Sequence, residues 1–207
     1  MYSCASCSEH YCDTEKLENA PLNCPCNEND VQESVAKLYL EEENYLLAYN
    51  SALVESEGYC NKTRLEEIID FAKKCNFKKL GVAFCIGLSK EAKTLCLILK
   101  NNGFEVNSVV CKNGSIPKEF LKIKDNEKIE PGTFEPMCNP IGQATLLNNV
   151  KTDFNIILGL CVGHDSLFIK YSDAPVTVFV VKDRVLAHNP VGALYLSDGY
   201  YKKKLFK

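Results

Sequence analysis

At 207 residues the chain is long enough for one α/β domain with a real core plus a small appendage. Hydrophobic residues make up 46% and charged residues 25%, the balance of an ordinary globular protein. A formal net charge of -3 gives no reason to expect nucleic acid or an anionic membrane as partner, and the Lys202-Lys203-Lys204 run reads as a solvated end.

The opening Met1-Tyr2-Ser3-Cys4 lacks the charged and apolar regions of a signal peptide. No apolar run approaches the roughly 20 residues that cross a bilayer. A cytoplasmic protein is therefore expected, where thiols stay reduced and disulfides are rare. Twelve cysteines in that setting need another explanation. Ligation of a soft metal is the first, and buried inert thiols are the second.

Residues 1–28 form a cysteine-rich module holding Cys4, Cys7, Cys12, Cys24 and Cys26, with His10, Pro21 and Pro25 among them. Few aliphatic residues accompany them, so a metal would have to organise the segment. Cys4-x2-Cys7 is a half-site spacing seen in zinc and iron–sulfur proteins, and Cys12 with Cys24-Pro25-Cys26 adds a second set within reach. Four of these five thiolates complete a closed tetrahedral zinc site, and a 4Fe-4S cluster is equally compatible with soft thiolates.

Residues 29–76 read as a helical segment. Asp30 caps a helix carrying Val31, Val35, Leu38 and Tyr39 on one face, and Glu42 to Glu57 forms a second helix stopped by Gly58. Thr63 followed by Glu66 is a capping box opening a third.

Residues 77–207 alternate strands and helices. Leu80 to Phe84 is a short apolar run of the kind buried in a parallel sheet, ending at Cys85. A helix follows to Asn102, with Gly103 as its left-handed cap, and Phe104 to Val110 is a strand ending at Cys111. A long loop from Lys112 to Met137 precedes Pro140, which suits the first turn of a helix to about Val150. Phe154 to Leu160 is the most hydrophobic strand and stops at Cys161-Val162-Gly163-His164; Asp165 caps the next helix, and Val176 to Val181 is the last strand. Such repetition predicts a Rossmann-like, three-layer α/β domain with a parallel sheet and right-handed connections.

In open α/β sheets ligands sit beyond the carboxyl ends of the strands. Cys85, Cys111 and Cys161 fall at that edge, and Cys138 lies just before a helix start that favours its thiolate. Cys85, Cys138 and Cys161 are flanked by glycine or proline turn chemistry that a core thiol does not need, and are the expected cofactor-binding set. Cys111 is evenly balanced between a functional thiol and a strand end. Cys60, Cys75 and Cys96 border or lie on apolar helices and read as structural thiols. His188 is evenly balanced between a site residue and a turn residue bonded to backbone.

Three thiolates around one point hold a zinc ion with an open position, or a 4Fe-4S cluster with one iron lacking a protein ligand. His164 or Asp165 would then move a proton, and Cys161, His164 and Asp165 are the candidate catalytic residues. Without a metal, Cys161 becomes a nucleophile with His164 as base. A non-enzymatic metal or cluster carrier or sensor is the competing class. A dinucleotide site lacks its G-x-G-x-x-G after the first strand.

The N-terminal cysteines, the Met137-Cys138-Asn139-Pro140-Ile141-Gly142-Gln143-Ala144 segment and the Gly159-Leu160-Cys161-Val162-Gly163-His164-Asp165 segment resemble one uncharacterised cysteine-rich family of anaerobic bacteria and archaea. So does the stretch from Ala174-Pro175-Val176-Thr177 to His188-Asn189-Pro190. The resemblance spans the chain and implies a metal-binding, cytoplasmic protein. It supplies no catalytic assignment. Cysteines at the strand ends of a Rossmann-like unit are also similar in layout to open-site 4Fe-4S enzymes such as thiouracil desulfurases and quinolinate synthases, in which a redox or desulfuration-type reaction takes a small-molecule substrate.

Overall fold

The computed structural model describes residues 1–206 and divides the chain into two compact units, Met1–Tyr59 and Cys60–Lys207. In the first unit are four short 3-10 turns, Cys4–Ser6, Tyr11–Asp13, Leu17–Asn19 and Pro25–Asn27; Cys4, Cys12 and Cys26 lie in them, and Cys7 and Cys24 flank the first and last. None of residues 1–49 is buried, as expected of a segment with too few aliphatic side chains to build a core. Helices α1 (Asn29–Leu38) and α2 (Glu42–Gly58) follow. Asp30 lies inside the first turn of α1 instead of capping it, and Gly58 is the last helical residue of α2.

The second unit begins with α3 (Arg64–Lys74), which starts on the expected capping box: Thr63 Oγ1 accepts from Glu66 N–H at 3.4 Å, and Glu66 Oε2 accepts from Thr63 N–H at 2.7 Å. The remaining elements alternate: β1 (Lys79–Phe84), α4 (Ser89–Asn101), β2 (Glu105–Val110), α5 (Pro140–Asn149), β3 (Phe154–Leu158), α6 (His164–Tyr171), β4 (Val176–Val180) and the short helices α7 (Val191–Tyr195) and α8 (Lys202–Leu205). The strands form one four-stranded, all-parallel sheet in the order β2-β1-β3-β4.

Helices cover both faces, giving the three layers of a Rossmann-like fold. On one face Ile68 and Ala72 of α3 and Leu95 and Leu99 of α4 pack with Leu80, Val82 and Ile156. The third helix of the 29–76 segment thus packs into the core of the α/β unit. On the other face Ala144 and Leu147 of α5 and Phe168 of α6 pack with Ala83 and Ile157. Every residue of β3 is buried, which explains its unbroken apolar run. Strand order reverses direction between β1 and β3, the switch point where such sheets open a crevice. Among the described residues no helix is long and apolar enough to cross a membrane.

Candidate functional site

Register brings two thiols together at the crevice. Phe84 of β1 is level with Val110 of β2, so the next residues, Cys85 and Cys111, leave the sheet side by side on neighbouring parallel strands. Cys111 N–H donates to Phe84 O at 2.8 Å and Cys85 N–H to Leu158 O at 3.1 Å, which extends the ladder past the last paired row. Both side chains are buried in the cluster under α5 and α6.

Cys138 joins them because the loop 112–137 is stitched shut at its base. Asn139 N–H donates to Cys111 O at 2.7 Å, Asn113 Nδ2 donates to Asn139 O at 3.0 Å, and Asn139 Nδ2 donates to Asn113 Oδ1 at 3.1 Å. Asn139 then caps α5 by accepting from Gly142 N–H at 2.9 Å. Gly142 is required for that approach, since a Cβ there would stand 2.3 Å from Asn139 Nδ2 and 2.4 Å from Asn113 Oδ1. The loop is ordered further by the antiparallel Pro117–Pro136 bridge and by Lys128 paired with Glu119 and Asp125.

Gln143, fully buried on α5, ties the frame to the thiols: its Nε2 donates to Val109 O at 2.7 Å and to Phe84 O at 3.2 Å. These carbonyls lie one residue before Cys85 and two residues before Cys111. Its Oε1 has no hydrogen-bond partner among the described residues.

Cys85, Cys111, Cys138 and His164 therefore form a continuous chain of interacting groups. Hydrogen bonding with Cys111, helped by Gly87 N–H and the Lys182 ammonium, lowers the Cys85 thiol to about 5 against its burial. Hydrogen bonding with Cys111 and then His164, helped by the Lys112 charge, lowers Cys138 to about 4. Cys111, hydrogen-bonded with Cys138 and Cys85 and buried, is pushed up from the ordinary thiol value. His164 is raised by Cys138. The middle thiol stays protonated while its neighbours favour the anion.

The imidazole's thiol partner is thus Cys138, distant in sequence, while Cys161 accepts a hydrogen bond from Arg184 Nη2 at 3.2 Å. Arg184 also acts electrostatically on Cys85 and Cys138, so all four sheet-edge cysteines share one neighbourhood. Asp165 engages Ser166 N–H at 2.8 Å and lies within the field of His164. His188 has its turn role: Nδ1 accepts from Asp183 N–H at 3.1 Å. Cys75 is buried, Cys96 is raised by burial in α4, and Cys60 is exposed.

Missing from the expected set were Lys112, Lys182 and Arg184, and the central place of Cys111. The signal for Cys111 was its offset from β2, which equals that of Cys85 from β1.

In the first unit, hydrogen bonding with Cys24 leads the causes that raise the Cys26 thiol, and Cys12 and Cys4 lie within electrostatic reach of it. Cys7 shares with Cys4 and Cys24 a cleft of about 240 Å³ also lined by Ser3 and Asn23. His10 sits in left-handed backbone at φ 48 without a side-chain capping bond. None of the twelve cysteines is paired in a disulfide among the described residues. Among the described residues no three His, Cys, Asp or Glu side chains already stand in metal-ligating geometry.

A family model described as a protein of unknown function (DUF1847) matches residues 24–179, which include all four sheet-edge cysteines. An uncharacterized protein of Methanocaldococcus jannaschii is 50% identical over 204 residues, covering 99% of this chain and 98% of that protein. No solved structure matches.

Proposed function

The chain belongs to the DUF1847 family, and from that premise we propose that its sheet-edge cysteines form a thiolate centre for zinc or a 4Fe-4S cluster beside a small-molecule site. One observation supports this reading: Cys85, Cys111 and Cys138 arrive from three separate loops, and Cys111 hydrogen-bonds with each of the other two, with Cys161 and His164 alongside. The donor set fits the group. The thiols are soft and close together, and two of them already favour the anion that ligation needs. Closing the set around an ion takes side-chain rotation and loss of the Cys111 proton, and metal binding supplies far more free energy than such adjustments cost.

Bound there, zinc or an iron–sulfur cluster would supply a Lewis-acid or redox centre with an open position. The chain's own residues have separate tasks. Asn139 and Gln143 hold the three cysteine-bearing loops in register, burial under α5 and α6 excludes water from Cys85 and Cys111, and His164 hydrogen-bonds Cys138, which favours the protonated form of the imidazole.

Cys4, Cys12, Cys24 and Cys26 suit a second, closed centre with a structural or electron-transfer role, which would order a segment that buries nothing of its own. Twelve cysteines with no disulfide among them fit a reducing, cytoplasmic setting.

Elemental analysis and the absorption spectrum of the full chain purified without oxygen test the reading. Bound zinc, or iron with acid-labile sulfide, is expected. Protein that carries neither, and takes up neither on reconstitution, refutes it. A second reading is favoured by the Cys138–His164 pair, which has the form of a thiolate–imidazolium nucleophile. In that case Cys138 reacts with electrophiles while the protein holds no metal.

A further inference from the structure

The turn that follows β4 adds charge to the thiol crevice. Asp183 Oδ1 accepts N–H bonds from Val185 at 2.9 Å and Leu186 at 2.8 Å. Asp183 N–H donates to His188 Nδ1, and His188 N–H returns to Asp183 O at 2.9 Å. Ala187 and His188 adopt positive φ values of 50 and 66 to close it. The aspartate is consumed internally, and the residues on either side of it, Lys182 and Arg184, both reach the sheet-edge sulfurs: Lys182 at Cys85, Arg184 at Cys161. A Cβ at Gly87 would lie 3.9 Å from both Cys85 Sγ and Lys182 Nζ, so the ammonium and the sulfur flank the same glycine. From the β2 side Lys112 donates to Pro136 O, and its charge acts on Cys138.

The geometry points to an oxyanion-binding subsite made by Lys182, Arg184 and Lys112 beside the sheet-edge thiols, which takes the carboxylate or phosphate group of a small substrate. The inference rests on the small-molecule site proposed above and names its ligand class. Charge balance supports it. Three thiolates on a dipositive centre retain a single negative charge, whereas these side chains carry three positive ones. The nearby carboxylates are engaged elsewhere, Asp183 in its turn and Asp165 on Ser166 N–H. A guanidinium fork and flanking ammonium groups match the planar, multidentate geometry of an oxyanion. Arg184 is exposed, so its remaining donors face the side from which a ligand enters.

The test compares alkylation by iodoacetate, an anion, with alkylation by neutral iodoacetamide on the reduced, metal-free full-length chain, mapped by cysteine. The ratio of the two rates cancels any change in thiol ionisation. At Cys138 and Cys161 the ratio is expected to exceed that at exposed Cys60 by about tenfold, the order of electrostatic focusing in a charged cleft. Lys182→Met and Arg184→Met each reduce it toward the Cys60 value, and Arg184→Lys, which keeps the charge, retains most of it. Equal ratios at all three cysteines in the unmodified chain overturn the subsite, as does a ratio that both Met variants leave unchanged. Metal uptake by the same proteins separates the two proposals. Uptake without iodoacetate preference removes the oxyanion subsite alone, and preference without uptake removes the metal centre alone.

Discussion

Replacing Gly159 with Ala perturbs the point where β3 leaves the sheet, two residues before Cys161. Gly159 has φ +68, and a Cβ built there stands 2.2 Å from Leu88 Cδ1. Left-handed backbone costs a non-glycine residue about 1–2 kcal/mol. Overpacking against Leu88, which is buried, adds about 1–3 kcal/mol. The expected loss is therefore about 2–5 kcal/mol, and at roughly 2–4 °C per kcal/mol for a chain of this size the thermal midpoint falls by on the order of 10 °C. Leu88→Ala alone removes a core side chain and costs about 2–5 kcal/mol. The double variant separates the two causes. With Leu88 gone the packing clash disappears, so Gly159→Ala costs only its backbone share, and the cycle shows a favourable coupling of about 1–3 kcal/mol. Denaturant unfolding followed by circular dichroism gives all four stabilities. An effect of Gly159→Ala below about 0.5 kcal/mol, or strict additivity in the double variant, refutes this account of how the Cys161 loop is held.

Because the Cys138 thiol is depressed to about 4, it is ionised at every pH above that value, and its alkylation by iodoacetamide in the metal-free chain stays level between about pH 6 and about pH 8. A tenfold rise per pH unit, the behaviour of an ordinary thiol well below its pKa, would contradict the Cys111 and His164 contacts. Thr63→Ala removes the capping box of α3 and lowers stability by about 1 kcal/mol, seen as a fall of roughly 2–4 °C in the thermal midpoint. Changing Cys24 and Cys26 together to Ser is expected to lower the metal content of the chain while leaving the thermal transition of the α/β unit in place, as metal analysis with calorimetry would show; unchanged metal content contradicts the proposed N-terminal centre.

Local chemistry made much of the fold legible. The Thr63–Glu66 box, Gly103 with φ +94 and Pro140 at the start of α5 mark their boundaries because each acts through backbone geometry alone. The buried run of β3 is equally plain, since a central parallel strand has no polar face. The site was legible only as a set of strand-end cysteines. Cys111 gains its central position from strand register, which appears only once β1 and β2 are paired. His164 follows Cys161 closely in sequence, yet its partner is Cys138, because the stitched base of the 112–137 loop brings that thiol across. Lys182 and Arg184 carry no motif, and their approach to the sulfurs depends on a turn whose closure by Asp183 and His188 is a matter of three-dimensional fit. α1 shows the opposite failure: Val31, Val35, Leu38 and Tyr39 share a helical pattern but all remain exposed, because periodicity reports a face and not what covers it.

The most direct test of the thiolate centre is the metal content of anaerobically purified full-length protein compared with a variant in which Cys85 and Cys138 are both Ser. The sheet-edge reading predicts that the unmodified chain carries one more metal centre than the variant, with the N-terminal complement unchanged in both. Equal metal in the two proteins would contradict it and leave the Cys85–Cys111–Cys138 chain as a set of reactive thiols.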